Sequence, residues 1–196
     1  MENIRVKKTK GKIKDSFLEL IINKEFDKIT VKEICQSAHT SRITFYDHYI
    51  DKYTLLDDIF NDMYNEALTN LPIREAINNK ENDPYRHVSN YLYYFVEALN
   101  KRINLVVSIS KHLSGYIYFA FENFFKAKFK DMLVNSGMHK KLKYSIDQTV
   151  SFITGGIMSF IVSGVQHSKY TDFEQIFFDA QSLFVNLLKS EIIYEN

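Results

Sequence analysis

The scarcity of chain-breaking residues most limits what this sequence can fold into. Its 196 residues include six Gly and two Pro, too few for the frequent turns of a fold built from many short strands. Apolar residues instead recur three and four positions apart, as in Ile13, Phe17, Leu20 and Ile21. That spacing is typical of a helix with one buried face. We therefore predict an all-α protein of about nine helices.

Composition narrows the class of protein further. Hydrophobic residues make up 45% and charged residues 25% of the chain, enough to build a globular core. The single cysteine, Cys35, excludes a disulfide framework and a multi-cysteine metal site, so we interpret it as a small buried hydrophobe. We find no secretory signal pattern and expect a cytoplasmic protein. No hydrolase, P-loop or dinucleotide motif occurs, and the His residues lack metal-ligand spacing, so we predict no enzyme, no cofactor and no metal.

Residues 148–168 contain no formally charged side chain. That length would cross a bilayer, but Ser, Thr, Gln and Gly are frequent in the stretch. We expect a helix buried in a core or in an oligomer interface, and no membrane span. Another helix could approach closely at its small residues, Gly155, Gly156, Ser159 and Ser163.

The order of helices follows from capping and periodicity. The first helix runs from a basic segment to about Asn23, and Thr30 with Glu33 forms a capping box for the second. A short third helix follows, and Asp51 is the N-cap of a fourth. A connection is expected between about 70 and 83, where apolar density falls, before a new helix begins at Pro84. The later helices are predicted at about 84–100, 102–112, 114–135, 144–167 and 172–193.

Residues 30–49 have the spacing of a helix-turn-helix, in which one short helix supports a second that lies in the DNA major groove. This motif needs an apolar interface beneath a polar edge. The candidate interface residues are Ile34, Ala38, Phe45 and Tyr49. The candidate edge residues are Ser41, Arg42, Thr44, Tyr46 and His48, together with Ile43, which can contact a thymine methyl group.

Three runs in this region, ITVKEIC at 29–35, AHTSRITFYDHY at 38–49 and DKYTLL at 51–56, closely resemble the TetR family of bacterial transcriptional regulators. The resemblance covers roughly residues 10–60. It implies an all-α dimer with a DNA-binding domain at 1–53 and an effector-binding and dimerisation domain at 54–196. The helices at about 144–167 and 172–193 would then form a four-helix dimer interface.

The resemblance also implies a set of DNA-binding residues: Thr30, Ser41, Arg42, Ile43, Thr44, Tyr46, His48 and Lys52. Arg42 and Ile43 would lie near base edges, because the Arg fork matches guanine O6 and N7. Most of the others, including Lys52, would contact phosphates.

Two residues depart from the family pattern. His39 stands where Gly is frequent and must adopt a positive φ if the turn is kept, and Ile43 stands where a small residue is usual.

The net charge of +1 argues against a protein that coats nucleic acid, but it averages over an uneven distribution. Residues 1–14 alone carry a local charge of +5. This basic arm would follow the DNA backbone or enter the minor groove. The alternative is a solvated terminus without a nucleic-acid partner.

Aromatic residues are dense between 85 and 129. They form either an ordinary core or the wall of an effector pocket, for which Tyr94, His112 and Tyr116 are our candidate ligand contacts. The sequence thus predicts a ligand-responsive regulator, a repressor that a small apolar or aromatic effector releases from a palindromic DNA operator. The alternative is a TetR-like coactivator or scaffold that works through protein–protein contacts without binding DNA itself.

Overall fold

The structure is a computed structural model, and it describes residues 4–78, 83–102, 105–106, 115–167 and 173–190. These residues are almost entirely helical, which confirms the predicted all-α class. The helices are α1 (Ile4–Asn23), α2 (Val31–Ser37), α3 (Arg42–Tyr46), α4 (Lys52–Asn78), α5 (Pro84–Asn100), α6 (Tyr116–Asn135), α7 (Ile146–His167) and α8 (Phe173–Lys189). Short 3-10 turns lie at Phe26–Lys28 and Met138–Lys141.

Most helix boundaries follow the predicted start and stop signals. The Asp51 carboxylate accepts a hydrogen bond from the Thr54 backbone N–H at 2.8 Å and so caps α4. α5 begins at Pro84 as expected. α6 ends before Gly137, whose φ of 75° is the left-handed conformation that favours glycine. The helix predicted at 102–112 falls mostly outside the described residues.

Two segments are more helical than the sequence indicated. α1 begins at Ile4, so the basic arm forms its first turns and is not an extended tail. Lys and Arg are good helix formers, and Lys10 and Lys14 pair with Asp58 on α4. α4 continues to Asn78 through the predicted connection, with Pro72 inside the helix. The predicted connection is therefore wrong over residues 70–78, which are helical.

The core extends through both halves of the chain. In the front part of the chain, which comprises α1, α2, α3 and the first two turns of α4, α1 packs on α2 and α2 on α3, around the fully buried side chains of Phe17, Ile34 and Phe45. α4 packs along α5, and α5 packs on α8. α6 and α8 both pack on α7. Phe129 of α6 contacts Phe184 of α8, with ring centroids 5.3 Å apart.

The length and composition of α7 would allow it to cross a membrane. Within the chain, 39% of its most apolar 18-residue stretch is buried. Core helices of soluble proteins can have the same length and composition. α7 and α8 also approach closely, because a Cβ on Gly164 would lie 2.7 Å from the Ile176 side chain. An open groove of about 610 Å³ runs between the two helices.

Candidate nucleic-acid interface

The first helix of the pair, α2, is fixed at its N-terminus by a complete capping box. The Thr30 hydroxyl accepts from the Glu33 backbone N–H at 3.3 Å, and the Glu33 carboxylate accepts from the Thr30 backbone N–H at 2.9 Å. Lys24 also donates to Glu33 at 2.6 Å. The bonds from Lys24 and Thr30 lower the pKa of Glu33 to about 2. Glu33 is therefore an anion at neutral pH and complements the start of α2.

The turn after α2 has the geometry of a Schellman motif. The Thr40 backbone N–H donates to the Cys35 carbonyl at 2.9 Å, and the His39 N–H donates to the Gln36 carbonyl at 3.3 Å. His39 has a φ of 49°, which confirms the positive φ expected at this position. A left-handed non-glycine residue is strained, and His is among the types that tolerate it better.

The second helix of the pair, α3, begins at an N-cap formed by Ser41. Its hydroxyl accepts from the Thr44 backbone N–H at 3.0 Å and lies 2.9 Å from the Thr44 hydroxyl. Phe45 is fully buried and Tyr49 is nearly so. On the opposite side, Ile43 is 77% exposed. α3 is thus anchored by two aromatic rings and presents an open edge.

The sequence-predicted DNA-binding residues are found on this edge and beside it, with one exception. Thr30 and Ser41 are exposed although they cap α2 and α3, and Thr44 and His48 are half-buried. Arg42 is exposed, and Tyr46 is 56% exposed. Their side chains therefore reach the surface on the two helix starts and on α3.

Lys52 is the exception, because its ammonium is turned inward. It donates to the carbonyls of Phe26, Asp27 and Ile29 at 2.7, 3.1 and 2.9 Å. It also lies over the Phe26 ring, 4.5 Å from the centroid. Burial lowers the pKa of Lys52. In this structure Lys52 joins α4 to the segment before α2, so contact with a DNA phosphate stays a prediction.

An aromatic junction connects the front part to α6. The Phe26 ring stacks on Tyr116 with centroids 5.1 Å apart and an angle of 14°, and the edge of Tyr53 meets Tyr116 at 4.6 Å. Burial raises the pKa of Tyr116. The sequence indicated Tyr116 only as a ligand contact, and no signal pointed to Phe26, which lies 90 positions earlier.

The other two candidate effector contacts are Tyr94 and His112. Tyr94 is half-buried on α5 and makes an edge contact with Tyr93, with centroids 5.2 Å apart. His112 lies outside the described residues. Cys35 is buried as expected, and burial raises the pKa of its thiol. Within the part of the chain that the structure describes, no group of three acidic, His or Cys side chains could hold a metal ion.

The described residues form an all-α fold in which α1 precedes a capped helix-turn-helix, α2 and α3, and a larger set of helices follows. It is the fold of the TetR-family transcriptional regulators. This confirms, at the level of the fold, the resemblance that the motifs in residues 29–56 indicated.

Solved structures of TetR-family regulators have the same fold as this chain. A TetR-family transcriptional regulator from Syntrophomonas wolfei superposes with a TM-score of 0.72 at 16% identity, over 94% of this chain and 97% of that one. Thermus thermophilus FadR, a TetR-family repressor solved in complex with lauroyl-CoA, superposes with a TM-score of 0.58 at 15% identity, over 90% and 93% of the two chains.

Comparison with curated sequences gives a match to a shorter stretch of the chain. An uncharacterized HTH-type transcriptional regulator of Bacillus subtilis (strain 168), YxbF, is 34% identical over 53 residues. That match covers 27% of this chain and 14% of the relative. No family model matches the chain. This similarity in sequence spans 53 residues, whereas the similarity in fold extends over nearly the whole chain.

Proposed function

We propose that this protein is a DNA-binding transcriptional regulator that recognises a specific sequence through α3. The observation that carries the proposal is the construction of the helix pair. Both helices have complete N-caps, the inner side of α3 is held by Phe45 and Tyr49, and Arg42, Ile43 and Tyr46 are left exposed. A helix fixed from behind and open in front is suited to insertion into the major groove.

The exposed residues divide by chemistry into two roles. Arg42 can form two hydrogen bonds with guanine, and Ile43 can pack on a thymine methyl group, so these two residues read bases. Thr30, Thr44, Tyr46 and His48 carry hydroxyl or imidazole groups that bind phosphates and fix the protein on the duplex. The Ser41 hydroxyl holds the start of α3 by accepting the Thr44 backbone N–H, and exposed Ser41 is a further proposed DNA contact.

The proposed active form is a homodimer in which α7 and α8 of two copies form a four-helix interface. Several large apolar side chains on these helices are exposed in the single chain: Phe152, Phe160, Phe178 and Leu183. Of these, Phe160 lines the groove between α7 and α8, together with Gly156, Ser159 and Ser163. Several large exposed apolar side chains on two helices that pack together are typical of a protein interface. Two-fold symmetry then implies a palindromic operator, with half-sites about 34–36 Å apart or somewhat more.

We further propose that residues 1–53 bind DNA and that 54–196 bind a small apolar or aromatic effector, which releases a repressor. The FadR structure contains lauroyl-CoA, so a protein with this fold can bind a molecule that carries an apolar acyl chain. Tyr94 and Tyr116 remain the candidate contacts on described residues. Because Tyr116 begins α6 and stacks on Phe26, a ligand that displaces α6 would also act on the segment leading to α2.

The direct test is selection of bound duplexes from random DNA by the full-length protein. We expect a palindromic consensus whose affinity falls steeply with salt. Arg42→Ala should reduce discrimination at one base pair of each half-site by about 1–3 kcal/mol. Lys140→Ala, an exposed cation on the 3-10 turn after α6, is the matched control and should leave the consensus unchanged. If no duplex binds better than random DNA at moderate salt, the coactivator or scaffold alternative replaces this proposal.

A further inference from the structure

α1 and the residue Tyr49, which follows α3, meet at one carboxylate on α4. Asp58 accepts a hydrogen bond from the Tyr49 hydroxyl at 2.9 Å. The same oxygen, Oδ2, lies 3.0 Å from the Lys10 ammonium and 2.9 Å from the Lys14 ammonium, both on α1. A single side chain thus joins α1, α4 and the residue that follows α3.

Tyr49 is rigidly connected to the recognition helix. Its backbone N–H donates to the Phe45 carbonyl at 2.9 Å, which continues the helical turn beyond α3. The rings of Phe45 and Tyr49 lie 5.6 Å apart. A helix of five residues, as α3 is, has little stability of its own. Its direction is therefore set by the groups that hold its two ends, namely Ser41 at the start and Tyr49 at the end.

Asp58 is a strong acceptor at neutral pH. Burial by itself would raise its pKa, but the bonds from Lys14, Lys10 and Tyr49 hold the pKa of this carboxyl below its usual value. The carboxylate is only partly exposed, and a charge-assisted hydrogen bond in such a place is stronger and more directional than one between neutral groups.

We propose that Asp58 is a positioning residue for the recognition helix, and that Lys10 and Lys14 serve as its counter-charges and do not contact DNA. The inference rests on the proposed DNA-binding function and deepens it. It separates the five lysines of α1 into two groups. Lys10 and Lys14 hold the domain together, while Lys7, Lys8 and Lys12 are exposed and can reach the phosphate backbone.

The test compares Tyr49→Phe, Asp58→Ala and the double variant. Asp62→Ala is the matched control, because it removes the same charge from the same helix and, among the described residues, pairs only with Lys14. The measurement is the ratio of affinities for a selected operator duplex and for a random duplex of equal length. The ratio cancels the general gain in DNA affinity that follows from removing an anion.

Each single variant should lower this ratio by about five- to tenfold, the effect of one hydrogen bond. The double variant should be no worse than Asp58→Ala, because both changes remove one interaction. Asp62→Ala should change the ratio less than twofold. A lowering that is merely structural would affect both duplexes equally. If Tyr49→Phe and Asp58→Ala behave like the control, Asp58 does not position α3.

Amide hydrogen exchange makes the result independent of DNA. We expect residues 41–49 to exchange faster in Tyr49→Phe and Asp58→Ala than in the wild type, while α7 is unchanged. Equal exchange in this segment would overturn the positioning role, even if wild-type protein binds no specific duplex. In that case the absence of specific binding would refute the proposed function separately.

Discussion

Removal of the Lys52 ammonium tests whether this residue stabilises the fold or contacts DNA. The family pattern implies a phosphate contact, whereas the structure shows three hydrogen bonds to the carbonyls of Phe26, Asp27 and Ile29. Lys52→Met is the informative change, because Met keeps most of the aliphatic stem over the Phe26 ring and loses the charge.

The size of the effect follows from the surroundings of the ammonium. Hydrogen bonds with a charged partner contribute about 1.5–3 kcal/mol each in favourable cases. Lys52 is half-buried, water can replace it at the exposed Asp27, and burial lowers its pKa, so the three bonds contribute much less than their sum. We expect the free energy of unfolding to fall by about 2 kcal/mol in total, which lowers the melting temperature by roughly 4–8 °C for a chain of this size.

The assay combines thermal unfolding with DNA binding at several salt concentrations. Lys32→Met is the control, since it removes an exposed lysine from α2 and should change stability by less than about 0.5 kcal/mol. For Lys52→Met we expect lower stability and an unchanged slope of log affinity against log salt. Wild-type stability with a slope reduced by about 0.9 would show a phosphate contact and refute the structural role.

Two other predictions concern charges of the front part. Lys7→Gln with Lys8→Gln should reduce the salt slope by about 0.9 for each phosphate that is no longer neutralised, whereas Lys10→Gln with Lys14→Gln should leave the slope unchanged although both pairs remove two charges. Because the folded pKa of Glu33 is about 2 and its ordinary value is 4.5, its stabilisation is complete above pH 4.5 and is lost as the pH falls toward 2. The difference in unfolding midpoint between wild type and Glu33→Gln should shrink over that range, and a constant difference would contradict the capping role.

Features that depend on neighbouring residues could be predicted from the sequence. The capping box at Thr30, the positive φ at His39 and the cap at Asp51 involve groups within three positions of one another or one backbone angle. Their chemistry is complete in a short segment, so the pattern alone determines them. The inward positions of Phe45 and Tyr49 could also be predicted, because helical periodicity specifies which residues share a face.

Features that depend on the packing of distant segments could not be predicted. Lys52 reaches carbonyls that lie 23 to 26 positions earlier. Tyr49 and Lys14 meet at Asp58 only because folding brings α1, α4 and the residue after α3 to one place. The sequence around a lysine does not show whether its ammonium faces a phosphate, a carboxylate or a carbonyl. The three-dimensional arrangement decides among these partners.

The proposed dimer interface gives a prediction that does not depend on DNA. Phe178 on α8 is 62% exposed in the single chain. Burying that fraction of a Phe side chain contributes about 1–2 kcal/mol, and two-fold symmetry doubles this to about 2–4 kcal/mol per dimer. Phe178→Glu should therefore raise the dimer dissociation constant by about 30- to 1,000-fold in sedimentation measurements. Phe119→Glu, at a 52% exposed position on α6, is the matched control and should leave the dimer intact. If the two variants dissociate equally, or if wild-type protein is a monomer at micromolar concentration, α7 and α8 do not form the interface.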